Sequence, residues 1–166
     1  NLSTSRMIDD IASKAGEKVI RTPVGEANVS LAMKENNCVI GGEGNGGVID
    51  LRIGPIRDSL VAMALVLELM AETGMKISSL VELIPSYQMV KTKFRAEKSL
   101  AKKIFERARQ EFDQARVDSS DGCRFDFDDG WVHLRMSNTE PVMRVIAEAA
   151  SQSDAKKYVE AVNDIT

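Results

Sequence analysis

The sequence predicts an α/β domain with a mixed, partly parallel sheet, followed by a small α+β domain with a largely antiparallel sheet packed against helices. Strand-like runs and helical patterns alternate in the first part of the chain, which is typical of α/β layers. Near Arg95 the composition changes to a charged amphipathic helix, then to short strands joined by turns, which is typical of an α+β layer. We therefore predict two domains, residues 1–94 and 95–166.

The predicted α/β domain begins with a helix over residues 6–15, whose apolar residues share one face. Segment 18–21 follows as a strand, and a second helix runs to Asn36. The apolar run 38–40 is predicted as the next strand. Strand and helix thus alternate, and this order predicts a partly parallel sheet.

A long helix over residues 59–72 is predicted at the centre of this domain. It is apolar on almost every side, which is typical of a helix that is buried all round. Asp58 precedes it as a candidate N-cap. A short helix over 78–83 and an alternating strand over 87–94 complete the domain.

The second domain is predicted to pack its helices on one face of its sheet. An amphipathic helix over 97–115 opens it, three short strands follow, and a helix over 153–162 closes it. A turn over 118–122 joins the first two strands. Alternation along the middle strand sends His133 to one face with its neighbours two residues away; we favour a structural histidine, with a general base as the alternative.

The turn between the last two strands, within residues 135–144 (RMSNTEPVMR), carries several groups that can donate hydrogen bonds to an anion. Small polar residues offer hydroxyl and amide hydrogens, and two guanidinium groups with such donors suit a phosphate. A polar hairpin whose arginines pair with neighbouring carboxylates explains the same pattern. The candidate phosphate-binding residues are Arg135, Ser137, Asn138, Thr139 and Arg144.

A glycine-rich loop, GGEGNGG at residues 41–47, directly follows the predicted strand 38–40. In open α/β sheets ligands bind beyond the carboxyl ends of strands, so the position suits a site. The loop has neither the Lys-Ser/Thr of a P-loop nor a GxGxxG opening a helix, which disfavours a nucleotide. A flexible hairpin connection is the alternative. Arg21, at the end of its strand, is either a substrate contact or the partner of Glu26 or another surface carboxylate.

As a set, GGEGNGG and R-x-SNTEP-x-x-R strongly resemble the C-terminal half of the α-D-phosphohexomutases, the family of phosphoglucomutases, phosphomannomutases and phosphoglucosamine mutases. RTPVGE at 21–26, the run RDSLVAMALVLELMAE and LIPSY occur in the family's order, so the resemblance covers nearly the whole chain. It implies that Glu43 and Asn45 bind sugar hydroxyls, with Arg21 near the substrate, and that the turn within 135–144 binds phosphate. The chain has Asn-Gly-Gly where the family often has serine, glycine and histidine, so the preferred hexose stays open.

The resemblance implies an enzyme that interconverts hexose 1-phosphate and hexose 6-phosphate through a bisphosphorylated intermediate. Its phosphoserine and its Mg²⁺ belong to the family's first two domains, and neither motif occurs in this sequence. We therefore expect this chain to bind hexose phosphate without catalysing the reaction, and to hold no metal. Its expected partner is the N-terminal part of the same protein. The alternative is a non-catalytic phosphosugar-binding or regulatory module.

Composition narrows the class of protein. With 166 residues, 43% hydrophobic and 28% charged, the chain has the make-up of a soluble globular protein, and no apolar run reaches the roughly 18 residues that span a bilayer. Two cysteines without CxxC spacing and a single histidine favour neither a disulfide framework nor a zinc site. A net charge of −3 gives no general attraction to nucleic acid. Without a visible leader, a cytoplasmic location is expected.

Overall fold

The computed structural model describes residues 1–137 and 139–166. The chain forms two compact units, Asn1–Ser86 and Tyr87–Thr166, called unit 1 and unit 2 below. The sequence places this boundary near Arg95 instead. The structure places it earlier because strand Gln88–Arg95 pairs along its whole length with strand Val142–Ala149, and this ladder makes it part of the second sheet.

Unit 1 contains four helices at the predicted places and one antiparallel hairpin. Its elements are α1 (Met7–Lys14), α2 (Glu26–Glu35), β1 (Gly41–Glu43), β2 (Gly47–Ile49), α3 (Ser59–Thr73) and α4 (Ile77–Glu82). The hairpin pairs Gly41 with Ile49 and Glu43 with Gly47. The glycine-rich loop therefore provides β1, the turn and the first residue of β2.

The structure corrects the sheet that was predicted for unit 1. Segments 18–21 and 38–40, predicted as strands, are irregular, and the partly parallel sheet is absent from the described residues. Val39 is 85% exposed and Ile40 is 52% exposed. A strand is stable only when neighbouring strands satisfy its backbone, and a run of three or four apolar residues does not specify such a neighbour.

Helix α3 begins and ends as predicted, but it is not buried. The carboxylate of Asp58 accepts hydrogen bonds from the backbone N–H groups of Leu60 and Val61, and Gly74 ends the helix with a φ of 66°. None of its residues is buried, and Leu60 and Leu67 are 71% and 64% exposed. A helix that is apolar all round buries only the faces that other elements cover. The buried core of unit 1 is instead a small cluster, Val29, Met33 and Ile49.

Unit 2 is a five-stranded antiparallel sheet with two helices. Its elements are β3 (Gln88–Arg95), α5 (Lys98–Glu111), β4 (Arg116–Asp118), β5 (Cys123–Asp126), β6 (Gly130–Met136), β7 (Val142–Ala149) and α6 (Gln152–Asp164). The strand order is β3-β7-β6-β5-β4. Three strands were predicted after α5 and the structure has four, because β5 and β6 form a hairpin in which Phe127 N–H donates to the carbonyl of Gly130 at 2.9 Å.

The two faces of this sheet differ in chemistry. Residues of α5 and α6, such as Ile104 and Val159, pack with Leu134 and Val145 on one face, which confirms the predicted layer of helices. The other face, called the polar face below, carries the directly opposed pairs Trp131–Glu148, His133–Ile146 and Arg135–Arg144. The indole Nε1 of Trp131 donates to Glu148 Oε1 at 2.8 Å. Among the described residues no helix is both long and apolar enough to cross a membrane.

Candidate functional site

The segment between β6 and β7 presents hydroxyl groups. It is closed by Ser137 N–H, which donates to the carbonyl of Val142 at 2.9 Å. The hydroxyls of Ser137 and Thr139 lie 3.4 Å apart, with Ser137 buried and Thr139 exposed. Asn138, which was also predicted to bind phosphate, lies outside the described residues. The segment thus offers two adjacent hydroxyl donors directly after β6.

Arg135 and Arg144 stand directly opposite each other on β6 and β7. Directly opposed residues of an antiparallel pair have Cβ atoms about 5 Å apart on the same face, so the two arginines start side by side on one face of the sheet. Arg135 is buried and Arg144 is exposed. The Nε of Arg135 donates to Asp121 Oδ2 at 3.0 Å. This bond holds the guanidinium at its Nε and uses only one of its five N–H donors.

Asp121 reaches Arg135 because its turn lies unusually close to β6. Gly122 has a φ of +76°, and a Cβ at this position would lie 2.1 Å from the carbonyl oxygen of Leu134. A side chain here would therefore push the turn away from the strand. Glycine is required for the contact of Asp121 with Arg135.

His133 fixes the same turn from the polar face. Its Nε2 lies 2.7 Å from the backbone carbonyl oxygen of Asp121, and a carbonyl only accepts, so Nε2 donates. Burial is the main cause that lowers the pKa of His133, and it outweighs the opposing effect of the hydrogen bond to Asp121. The imidazole is therefore neutral at neutral pH and holds the turn, as expected of a structural histidine.

Glu43 lies at the end of β1 with its carboxylate already hydrogen-bonded inside unit 1. Its Oε1 accepts from Asn1 Nδ2 at 2.7 Å and from Gly25 N–H at 2.9 Å. Its Oε2 lies 3.4 Å from Arg57 Nη1, and the side chain is only 7% exposed. Asn45, in contrast, is exposed at the tip of the hairpin. The loop therefore offers an oriented carboxylate beside an accessible amide.

Arg57 lies across the hairpin because Gly47 leaves room for it. A Cβ on Gly47 would lie 2.1 Å from Arg57 Cδ. The guanidinium Nε donates to Glu26 Oε2 at 2.8 Å, and hydrogen bonds from Arg57 lower the pKa of the Glu26 carboxyl. Arg57 therefore links Glu26 to Glu43.

Arg21 anchors the beginning of unit 1. Its Nη1 donates to the carbonyl of Asn1 at 3.1 Å and to that of Thr4 at 2.7 Å, and its Nη2 pairs with Asp9. Asp9 is a surface carboxylate other than Glu26, so this ion pair is of the kind that the sequence left open as the alternative. The guanidinium is thus engaged by protein oxygens.

The contacts of the candidate residues with Asp121 and Arg57 are among those that were not predicted from the sequence. The Asp-Gly pair at 121–122 indicates a turn, but no local pattern shows that this carboxylate meets an arginine on β6. Nor does any spacing connect Arg57 to Glu43. Among the described residues there is no group of three or more His, Cys, Asp or Glu side chains that could hold a metal ion.

Comparison with known proteins gives two matching family models. A model of the phosphoglucomutase/phosphomannomutase alpha/beta/alpha domain III matches residues 1–87. A model of the phosphoglucomutase/phosphomannomutase C-terminal domain matches residues 90–165. Together the two matches cover nearly all of both units.

Curated relatives and a solved structure agree with these matches. The chain is 42% identical over 164 residues to a phosphoglucomutase/phosphomannomutase of Thermococcus kodakarensis, covering 96% of this chain and 35% of that protein. It is 32% identical over 163 residues to a phosphoglucosamine mutase of Methanocaldococcus jannaschii, covering 96% and 36%. A Burkholderia thailandensis phosphoglucomutase/phosphomannomutase family structure has the same fold, with a TM-score of 0.84 and 24% identity, over 99% of this chain and 35% of that one. The chain thus spans about a third of the length of these relatives.

Proposed function

The chain belongs to the phosphoglucomutase/phosphomannomutase family, and from this premise we propose that it is the substrate-binding part of a phosphohexomutase. The proposed reaction interconverts hexose 1-phosphate and hexose 6-phosphate through a bisphosphorylated intermediate. The observation that carries the proposal is the opposition of Arg135 and Arg144 beside a hydroxyl-bearing turn, because two guanidinium groups with hydroxyl donors suit a phosphate.

In this proposal unit 2 binds the phosphate that is not being transferred. Arg144 is exposed and offers its guanidinium fork directly, while Asp121 holds Arg135 by its Nε. Ser137 and Thr139 add hydroxyl donors, and Asn138 completes the proposed set. Charge-assisted hydrogen bonds from two guanidinium groups are the strong contacts, so they should dominate the affinity.

Unit 1 binds sugar hydroxyls in this proposal. A carboxylate has about four acceptor sites, so Glu43 can accept from a hydroxyl in addition to its present donors. Asn45 both donates and accepts, and its exposure leaves it accessible. We leave Arg21 out of the proposed contacts because the carbonyls of Asn1 and Thr4 already engage it.

The reacting groups are proposed to lie outside these residues. The family resemblance assigns the phosphoserine and Mg²⁺ to the first two domains, and the described side chains do not suit the metal. The residues of this chain therefore bind and orient the hexose phosphate. The proposed phosphate site binds a phosphate without transferring it, and the hydroxyl acceptors accept hydrogen bonds from either face of the sugar ring. The intermediate can therefore bind in two orientations.

Substitution of Arg135 tests the phosphate site. We expect Arg135→Ala to weaken the affinity for glucose 1-phosphate by roughly 2 to 4 kcal/mol, because one charged fork is lost. Arg107→Ala, an exposed arginine of α5, is the control and should bind normally. Calorimetric titration measures both. An unchanged affinity in Arg135→Ala would remove this residue from the site.

The assignment of sugar binding to unit 1 and phosphate binding to unit 2 is tested with Glu43→Gln. The amide loses the negative charge and acceptor capacity, so the affinity for glucose 1-phosphate should fall while that for inorganic phosphate stays the same. Equal loss for both ligands would contradict the assignment.

In a coupled assay with glucose 1-phosphate, glucose 1,6-bisphosphate and Mg²⁺, this chain alone should form no glucose 6-phosphate above background. Formation of glucose 6-phosphate would place the reacting groups within these residues.

A further inference from the structure

Three basic residues lie side by side across three strands of unit 2. Lys93 on β3 is directly opposite Arg144 on β7, and Arg144 is directly opposite Arg135 on β6. Directly opposed residues project from the same face of a sheet, so all three lie on the polar face. Their row is one pair away from Met136 and Met143, the last pair before the segment between β6 and β7.

This row is electrostatically unfavourable without an anion. Like charges directly opposite each other in a sheet destabilise it, and only Arg135 has an acidic partner, Asp121 at 3.0 Å. Lys93 and Arg144 are exposed. Neither forms an ion pair or a side-chain hydrogen bond with any residue in the described part of the chain. A bound anion would remove the repulsion that these two side chains otherwise experience.

We propose that Lys93 is a third cation of the phosphate site and contacts the phosphate of the hexose phosphate beside Arg144. The inference rests on the proposed function and extends it by one residue. Neighbouring strands lie about 4.8 Å apart, so the backbones at Lys93 and Arg135 are roughly 10 Å apart. A phosphate bound beside Arg144, between them, is within reach of the long lysine side chain. A phosphate monoester carries a charge of about −1.5 to −2 at neutral pH, which offsets the charge of more than one guanidinium.

Two neighbouring basic residues on β3 differ from Lys93 in what they face. Lys91 lies opposite Ile146, and Arg95 lies opposite Val142. Both project from the polar face, because they are two residues from Lys93. Lys91 therefore provides a matched control with the same side chain, strand, face and exposure, but with an apolar residue opposite it.

The test compares Lys93→Gln with Lys91→Gln in the 166-residue chain. Calorimetry at low ionic strength measures affinity for inorganic phosphate and for glucose 1-phosphate. We expect Lys93→Gln to weaken both about 5- to 20-fold, since one charge-assisted contact is lost at an exposed position, and the difference should shrink in high salt. Lys91→Gln should change either affinity less than about twofold. Lys93→Arg should recover most of the loss.

A second measurement needs no ligand. Lys93→Gln removes one like-charge opposition, so the urea midpoint of the ligand-free protein should rise at low salt and the gain should disappear in high salt. Lys91→Gln should show no such gain. If Lys93 served the fold alone, its replacement would instead lower the midpoint and phosphate binding would be normal in the folded variant.

The outcomes separate this inference from the proposed function. If Arg135→Ala loses phosphate affinity while Lys93→Gln matches Lys91→Gln, the role of Lys93 is overturned and the proposed function stands. If the unaltered chain does not bind phosphate, or if Arg135→Ala binds it normally, the proposed function fails as well. Loss in both Arg135→Ala and Lys93→Gln, with normal binding by Lys91→Gln, supports both.

Discussion

The two units use apolar residues in opposite ways. Helix α5 of unit 2 is highly charged but has one apolar stripe, and Ala101, Ile104 and Ala108 on it are buried against the sheet. Helix α3 of unit 1 is far more apolar, and none of its residues is buried. A single sheet can cover a stripe, whereas a helix that is apolar all round needs neighbours on every side. Burial therefore follows the arrangement of the neighbouring elements more closely than the apolar content of a helix.

The candidate site residues differ between the units in the same way. Arg135 and Arg144 are fixed by the ladder of two long strands, and Asp121 orients one of them. Asn45 lies at the tip of a hairpin of two three-residue strands. Groups on regular strands are held more rigidly than groups on turns, so we expect a preorganised phosphate site and a more adaptable hydroxyl site.

The largest expected effect is the difference in stability cost between a substitution in the core of unit 2 and one on helix α3 of unit 1. Phe125 is fully buried, with its ring centroid 5.1 Å from that of Phe112. Phe125→Ala should reduce the free energy of unfolding of unit 2 by about 3 to 5 kcal/mol. Leu67→Ala should cost less than about 0.5 kcal/mol in unit 1, because Leu67 is 64% exposed.

Urea denaturation followed by the fluorescence of Trp131, the single tryptophan, reports on unit 2. Hydrogen exchange of the α3 amides reports on unit 1. A cost for Leu67→Ala equal to that for Phe125→Ala would show that α3 is packed in solution, and it would remove the contrast between the units.

A smaller effect comes from two glycines with nearly the same backbone conformation. Gly16 in unit 1 has a φ of +73°, and a Cβ added there would have no atom within 4 Å. At Gly122, with a φ of +76°, an added Cβ would lie 2.1 Å from the carbonyl oxygen of Leu134. Gly16→Ala should cost about 1 kcal/mol from the left-handed conformation alone. Gly122→Ala should cost at least about 2 kcal/mol, because the clash adds to the same strain.

Gly122→Ala should also weaken phosphate binding, since moving the turn takes Asp121 away from Arg135. Thermal unfolding and phosphate titration of the two variants measure both effects. Equal costs for the two substitutions would mean that the turn is not held against β6.

Local features of both units could be predicted from the sequence. Helix positions follow from apolar periodicity, and the Asp58 cap and the Gly74 end of α3 follow from short-range hydrogen bonding and backbone freedom. The antiparallel layer of unit 2 was also predictable, because its strands are neighbours in sequence. In the site, the two strand-like runs that carry Arg135 and Arg144 were predictable, whereas the register that places these residues opposite each other is known only from the structure.

Features that depend on distant contacts could not be predicted in this way. The pairing of β3 with β7, which moves the unit boundary to Ser86, joins segments that are far apart in the sequence. The exposure of α3 and the irregular segment 38–40 depend on which elements are near them. The contact between Asp121 and Arg135 likewise depends on how closely a turn approaches a strand, which no local pattern encodes.

The smallest effect concerns pH and involves unit 2 alone, since the single histidine of the chain, His133, lies there. Burial lowers the pKa of His133 in the folded protein, while the unfolded chain titrates near about 6.5. Between the folded and unfolded pKa values the unfolded chain binds a proton that the folded one does not, so stability rises with pH in this window. Its contribution is complete above about 6.5 and is lost as the pH falls towards the folded pKa.

We therefore expect the urea midpoint of unit 2, measured by Trp131 fluorescence, to fall between about pH 7 and pH 5.5, above the range in which ordinary carboxylates titrate. Exchange of the unit 1 amides, corrected for intrinsic rates, should give constant protection over the same range. His133→Gln can still donate to the Asp121 carbonyl, and although it lowers overall stability it should remove the slope. A slope that persists in this variant would come from another group, and a flat profile in the unaltered protein would show that the imidazole is hydrated in the folded state. Either result would contradict the assignment of this slope to a His133 that is shielded from water within unit 2.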